Sequence, residues 1–168
     1  MSEGRDHGVI ERLADVIRSV GGVTLMNVHS DADHHRTVFS FLGAPACVEA
    51  AALALAARVI ELIDLRRHRG VHPRVGALDV LPLVPLAGIS MAETIALARR
   101  VGDSLASQHA LPVYYYGAAA TRPGRRTPRA RASSRTRSKA SAIDVVRESS
   151  RFMETWAIPW LASSTPIA

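Results

Sequence analysis

Apolar and polar residues alternate with two different periods along the first 117 residues. Between Val9 and Val20, apolar side chains recur every three or four positions, which predicts an amphipathic helix that ends at the glycine pair 21–22. The pattern then predicts two strands, a long helix, a third strand, a helix that begins at a Ser90–Glu93 capping box, and a last strand. The predicted bounds of these six elements are 23–29, 36–42, 46–67, 77–86, 90–107 and 111–116.

The resulting order, α-β-β-α-β-α-β, is that of an α+β fold. The short polar link SDADHH between the first two strands predicts an antiparallel pair. With one strand placed before the first helix, the first six elements read β-α-β-β-α-β, the order of a ferredoxin-like split βαβ sandwich with its helices on one face. The sequence starts where that strand should end. We therefore expect a ferredoxin-like sandwich with an extra helix and strand and with its first strand largely missing.

The third predicted strand, ALDVLPLVPL, contains two prolines and an aspartate. Pro82 and Pro85 have no backbone N–H, which favours a strand at a sheet edge or with a bulge. A carboxylate in an apolar strand is costly unless it is paired. Asp79 is therefore expected to orient a neighbour such as His72 or to bind a polar ligand, and a position on a solvated face is the alternative.

Charge divides the chain into two regions. Residues 1–120 contain 11 Lys and Arg against 12 Asp and Glu, a net charge of −1, whereas residues 121–168 contain 10 against 3, a net charge of +7. The stretch TRPGRRTPRARASSRTRSKAS has no acidic residue and no apolar period, so it cannot form a packed core. We expect one domain over 1–120 and a basic tail over 121–168. The tail is either disordered or out of frame, since Arg-, Ala-, Pro- and Ser-rich strings are typical of GC-rich DNA read in another frame.

Composition narrows the class of protein further. No apolar run reaches the roughly 20 residues that a membrane helix needs, and the polar start MSEGRDHG has no signal-peptide pattern. The single cysteine, Cys47, excludes an internal disulfide framework. We therefore expect a cytoplasmic protein without a membrane partner.

The turn RGVHPR places a histidine on a stiff support. Pro73 biases the backbone of His72 towards an extended conformation, and Gly70 allows the chain to turn sharply before it. An imidazole held in this way is suited to general acid–base catalysis near neutral pH. A surface histidine in a helix-to-strand turn is the alternative.

The polar stretch HSDADHHR at 29–36 has several interpretations. Arg36, at the start of a strand, could bind a carboxylate, and the rest of the stretch could be a solvated loop. A metal-dependent enzyme is one alternative function, and its ligands would be His29, Asp31, Asp33, His34 and His72. Since no HxxxH or CxxC pattern supports it, we expect no metal. Binding of nucleic acid through the basic tail is a second alternative, but nucleic acid is not the expected partner.

Several strings, taken together, resemble the N-terminal subdomain of glutamate formimidoyltransferase (formiminotransferase). They span about residues 2–126 and read SEGR, D-x-DHHRTVFSFLG, LIDLRRHRGVHPRVGALDVLPLVPL, GIS-M-AET and LPVYYYGAAATRP. The resemblance implies folate-dependent transfer of a formimidoyl group from N-formimidoyl-L-glutamate to tetrahydrofolate, a reaction of histidine degradation and one-carbon metabolism.

The resemblance also implies roles for single residues. His72 is the acid/base residue, and Arg36, Arg74, Asp79 and His29 are expected to bind or orient substrate. The partners are formimidoylglutamate and tetrahydrofolate, the latter as co-substrate, and the family allows a homodimer.

The sequence departs from the family at several points. His35 stands where asparagine is usual, and His29 stands where some relatives carry an acidic residue. In the family that this sequence resembles, a second subdomain follows, and folate binds between the two halves. Nothing in residues 127–168 resembles that second subdomain or a cyclodeaminase domain. We therefore expect an incomplete fragment that is weakly active or inactive.

Overall fold

The computed structural model describes residues 1–71 and 76–120, together with two short strands beyond them. The helices are α1 (His7–Arg18), α2 (Pro45–Leu62) and α3 (Met91–His109). The strands are β1 (Val23–Asp31), β2 (Arg36–Gly43), β3 (Asp79–Leu81), β4 (Val113–Tyr115), β5 (Thr127–Pro128) and β6 (Ile143–Val145). The predicted order of the first seven helices and strands is confirmed.

The described strands form two sheets. β1 and β2 pair antiparallel, as the short polar link predicts, with a bulge between Leu25 and Asn27. The other sheet has the order β3-β6-β4-β5, in which β6 runs parallel to both β3 and β4, and β5 runs antiparallel to β4. The fold class is therefore α+β, as predicted, whereas the ferredoxin-like strand order stays a prediction.

One hydrophobic core joins the helices to the strands. α2 packs between α1 and α3. The apolar stripe of α1 is buried as its periodicity predicts, through Val9, Ile10, Leu13, Ala14 and Ile17. Phe39 and Phe41 of β2 pack against the same core. The burial of these side chains fixes which face of the hairpin is turned towards the helices.

Local capping defines two helix starts. The Asp6 side chain accepts a hydrogen bond from the Val9 N–H at 3.0 Å before α1. At α3 the predicted capping box is confirmed: Ser90 Oγ accepts from the Glu93 N–H, and the Glu93 carboxylate accepts from the Ser90 N–H. The Ser90 hydroxyl also donates to the Glu93 carboxylate, and this bond, followed by the one from the Ser90 N–H, lowers the pKa of Glu93.

Three predicted elements are longer than the observed ones, and one of them is the last strand, predicted over 111–116 and observed over Val113–Tyr115. α2 ends at Leu62 rather than near residue 67, because Ile63 is extended and buried in the core. Asp64 then accepts the N–H of Arg66 and begins a short 3-10 helix. β3 ends at Leu81, directly before Pro82, which cannot donate to a sheet. β3 is an edge strand of its sheet, as the prolines predict.

Over the described ranges, no helix is both long enough and apolar enough to cross a membrane.

Candidate active site

The first residues of the chain run between β2 and the segment that leads into β3. The Met1 amine donates to the Thr37 carbonyl at 2.8 Å, and the Met1 carbonyl accepts from the Thr37 N–H at 3.1 Å. On the other side, Ser2 donates its N–H to the Ala77 carbonyl at 2.7 Å and its hydroxyl to the Gly76 carbonyl at 2.9 Å. These buried hydrogen bonds hold the entry to β3 beside the start of β2.

Arg36 and Asp79, both predicted to bind or orient substrate, form an ion pair across this segment. Their side chains are only 16% and 4% exposed. The Asp79 carboxylate is thus paired, as its burial requires, and the alternative of a solvated Asp79 is wrong. Its backbone has φ 70°, a conformation that aspartate tolerates better than most residues. Burial, and then the Arg36 charge, lowers the pKa of the Met1 amine to about 5.

Residues 72–75 lie outside the described residues, so the roles of His72 and Arg74 stay predictions. The residues on either side of this stretch are held in place. Val71 donates its N–H to the Asp33 carbonyl at 3.2 Å, and the Gly76 carbonyl accepts the Ser2 hydroxyl. Val71 therefore lies beside the β1–β2 loop, and Gly76 lies beside the N-terminal segment.

The loop between β1 and β2 is organised by Asp31. Its Oδ1 accepts the His34 N–H at 2.8 Å, and its Oδ2 lies 3.0 Å from His34 Nδ1. These contacts lower the pKa of Asp31, the backbone hydrogen bond from His34 being the largest cause. His29 is exposed on β1 opposite Val38. Where the structure describes this loop, His29, Asp31, Asp33 and His34 do not form a group of three metal ligands, so it does not support the metal-dependent alternative.

Glu3, His35 and His68 form a cluster in which the first two residues are buried and His68 is half-buried. Glu3 Oε1 is 3.3 Å from His35 Nδ1, and Glu3 Oε2 is 3.5 Å from His68 Nε2. The two rings lie with their centroids 4.4 Å apart. Sequence reasoning missed this cluster, since it singles out His35 only as a departure from the family and does not single out Glu3 or His68. All three residues lie in strings that resemble the family, but only the fold brings them together.

Gly4 is the point of closest approach between the N-terminal segment and the loop. A Cβ on Gly4 would lie within 3.0 Å of three backbone atoms, the Asp31 oxygen and the Arg36 nitrogen and oxygen. Backbone atoms cannot move aside as a flexible side chain can. We expect Gly4→Ala to lower the free energy of unfolding by about 1–3 kcal/mol, the usual cost of overpacking, as measured by urea denaturation.

Gly21→Ala is the matched control for Gly4→Ala, because a Cβ on Gly21 would meet nothing within 4 Å. Its free energy of unfolding should stay within about 0.5 kcal/mol of the unsubstituted chain. Equal effects of the two substitutions would contradict a steric requirement at Gly4.

Comparison of the sequence with known protein families identifies one match. The family described as the formiminotransferase domain, N-terminal subdomain, matches residues 1–149. The chain is 43% identical over 126 residues to the formimidoyltransferase-cyclodeaminase of Rattus norvegicus, a match that covers 75% of this chain and 23% of the relative. It is 41% identical over 124 residues to the glutamate formimidoyltransferase of Thermoplasma acidophilum, covering 74% and 41%.

A third relative has similar coverage. The glutamate formimidoyltransferase of Streptococcus pyogenes serotype M1 is 38% identical over 124 residues, 74% of this chain and 42% of the relative. The chain thus spans less than half the length of each of these relatives.

Proposed function

Since the chain belongs to the family of formiminotransferase N-terminal subdomains, we propose that it carries the acid–base half of a site for formimidoyl transfer in histidine degradation. The donor is N-formimidoyl-L-glutamate and the acceptor is tetrahydrofolate, which acts as co-substrate. The products are 5-formimidoyltetrahydrofolate and glutamate. The chain on its own is weakly active or inactive and works in the cytoplasm.

The proton movements assign a role to His72. The folate N5 attacks the formimidoyl carbon and forms a new C–N bond, while His72 accepts the N5 proton. The bond between that carbon and the glutamate nitrogen then breaks, and His72 returns a proton to the leaving nitrogen. One imidazole can perform both steps because it exchanges protons near neutral pH.

Substrate positioning falls to Arg36, Arg74, Asp79 and His29. The planar guanidinium of Arg36 presents its N–H donors as a fork, which matches the geometry of a carboxylate. Asp79 orients the Arg36 guanidinium, and Arg36 then donates hydrogen bonds to a carboxylate of formimidoylglutamate. Correct placement of two substrates can supply a large part of the rate.

The observation that carries the proposal is the buried Arg36–Asp79 pair, together with the hydrogen bonds that hold the residues on either side of 72–75. Val71, directly before His72, is hydrogen-bonded to the loop that leads to Arg36. Gly76 and Ala77, shortly before Asp79, are hydrogen-bonded to Ser2. This arrangement supports a site in which the acid–base residue and the carboxylate-binding arginine share one wall.

A chimera tests the function without requiring this chain to be active alone. Residues 2–126 would replace the matching segment of the Thermoplasma acidophilum glutamate formimidoyltransferase, which supplies the remainder of its own chain. We expect the chimera to convert formimidoylglutamate and tetrahydrofolate to 5-formimidoyltetrahydrofolate, detected by mass spectrometry. A folded chimera that forms no product, while the unmodified relative does, would contradict the proposal.

A further inference from the structure

Glu3, His35 and His68 form a donor set that does not enter the transfer reaction. Their ligand atoms lie within 4.8 Å of one another. Among the described residues, they form the group of at least three His, Cys, Asp or Glu side chains that could hold a metal ion. Their side chains are only 8–11% exposed. The set of two imidazoles and one carboxylate is that of several zinc sites with three protein ligands.

The spacing of the donor atoms suits a metal ion. In a tetrahedral site with bonds of about 2.0–2.1 Å, two ligand atoms lie about 3.3 Å apart. Glu3 Oε2 lies 3.5 Å from His68 Nε2, and the ligand atoms of all three side chains lie within 4.8 Å of one another. Binding an ion would therefore require the three side chains to move closer together.

Hydrogen bonding leaves one Glu3 oxygen for an ion. Oε1 accepts the N–H groups of Gly4, Arg5 and Asp6 at 2.9–3.0 Å, which fixes the carboxylate, while Oε2 faces His68. The Gly4 N–H also contacts His35 Nδ1 at 3.0 Å. If His35 turned its lone pair to an ion, the Gly4 N–H would keep its bond to Glu3.

Among the described residues, the ring of His68 is not held by hydrogen bonds at both of its nitrogens. Its Nδ1 is buried and has no hydrogen-bond partner within the part of the chain that the structure describes. Buried polar atoms are almost always paired, and an unpaired one often marks the place of an ion or a water molecule. This is the other nitrogen of the ring from Nε2, which faces Glu3, so the orphan shows that no hydrogen bond from the described ranges to Nδ1 holds the ring away from an ion.

We propose that Glu3, His35 and His68 bind one divalent transition-metal ion, with Zn²⁺ as the best match to the donor set. The ion would connect the N-terminal segment, the start of β2 and the residue that follows the 3-10 helix. Its fourth position would be filled by water or a small ligand. This site is separate from the proton transfers assigned to His72 and does not depend on the proposed reaction.

Metal titration of the full chain tests this proposal. After removal of metal with a chelator, Zn²⁺ is added near neutral pH and followed by calorimetry and by the unfolding temperature, which rises when an ion binds only the folded state. We expect one ion per chain. Co²⁺ at the same site should give the strong visible absorption of a four- or five-coordinate ion, and absence of stoichiometric binding would overturn the proposal.

His35→Asn is the informative variant, because asparagine tolerates the left-handed backbone of His35, φ 53°. We expect it, and His68→Gln, to weaken Zn²⁺ binding by at least about 100-fold, since even loss of an outer-shell partner costs about 10- to 100-fold. His34→Asn, at an exposed neighbour in the same loop, is the matched control and should keep full affinity.

Two results would overturn the assignment even if zinc binds. One is undiminished binding by both His35→Asn and His68→Gln. The other is loss of binding in His34→Asn, which would move the ion to the exposed Asp31–His34 pair. Imidazole nitrogen NMR of the unsubstituted chain keeps the test decisive if a variant fails to fold. Zn²⁺ should shift the ring signals of His35 and His68 and leave those of His34 unchanged, and the reverse pattern would contradict the proposal.

Discussion

Replacing Arg36 with methionine is expected to lower the free energy of unfolding by about 3–5 kcal/mol, as measured by urea denaturation. Methionine retains much of the apolar volume of the side chain but leaves the Asp79 carboxylate, 4% exposed, without its guanidinium. An uncompensated buried charge is among the most destabilising changes that a single substitution can make. The loss should therefore come mainly from Asp79, the residue that has not been changed.

A double substitution checks that cause. Asp79→Asn removes the charge and retains a residue type that tolerates φ 70°, so Arg36→Met with Asp79→Asn should recover part of the loss. Arg58→Met, which breaks the exposed pair with Glu61, is the control and should cost at most about 1 kcal/mol. An effect of Arg36→Met no greater than that of the control would contradict a buried, essential pair.

In the active chimera, His72→Ala is expected to reduce formimidoyl transfer by about 10²- to 10⁴-fold, the usual contribution of a general acid–base residue. Alanine cannot accept the folate N5 proton or return one to the leaving nitrogen of glutamate. Single-turnover rates with saturating substrates measure the effect on the chemical step. The binding of formimidoylglutamate, measured separately by calorimetry, should change little.

His34→Ala is the matched control for His72→Ala, because His34 is an exposed histidine of the β1–β2 loop and has no part in the proposed proton transfer. Its rate should stay close to that of the unsubstituted chimera. Full activity of His72→Ala would show that another group moves the proton, and His72 would then lose its assigned role.

Signals that act over a few residues could be read from the sequence with good accuracy. The Ser90–Glu93 capping box and the apolar stripe of α1 involve contacts three or four positions apart, and both are observed as predicted. The end of α2 could not be read in this way. The extended backbone at Ile63 depends on its burial in a core built from the whole chain.

The candidate site shows the same limit. Arg36 and Asp79 could be selected because a charged residue in or beside an apolar strand needs a partner or a ligand. Their pairing could not, since it joins positions 43 residues apart through a topology that local patterns do not contain. The cluster around Glu3 was missed for the same reason, and because its histidines lie in stretches that are equally typical of a solvated loop and a basic helix end.

The hydrogen bonds of Met1 and Ser2 have a consequence for the order in which the domain assembles. They join positions 36 and 74 residues apart along the chain, whereas the β1–β2 hairpin closes over a short loop. The entropy cost of closing a loop grows with its length, so distant pairings tend to form after local ones. During synthesis, Met1 and Ser2 could complete these pairings only after the chain beyond Ala77 has emerged from the ribosome, so the arrangement that holds Arg36 beside Asp79 would form late in this region.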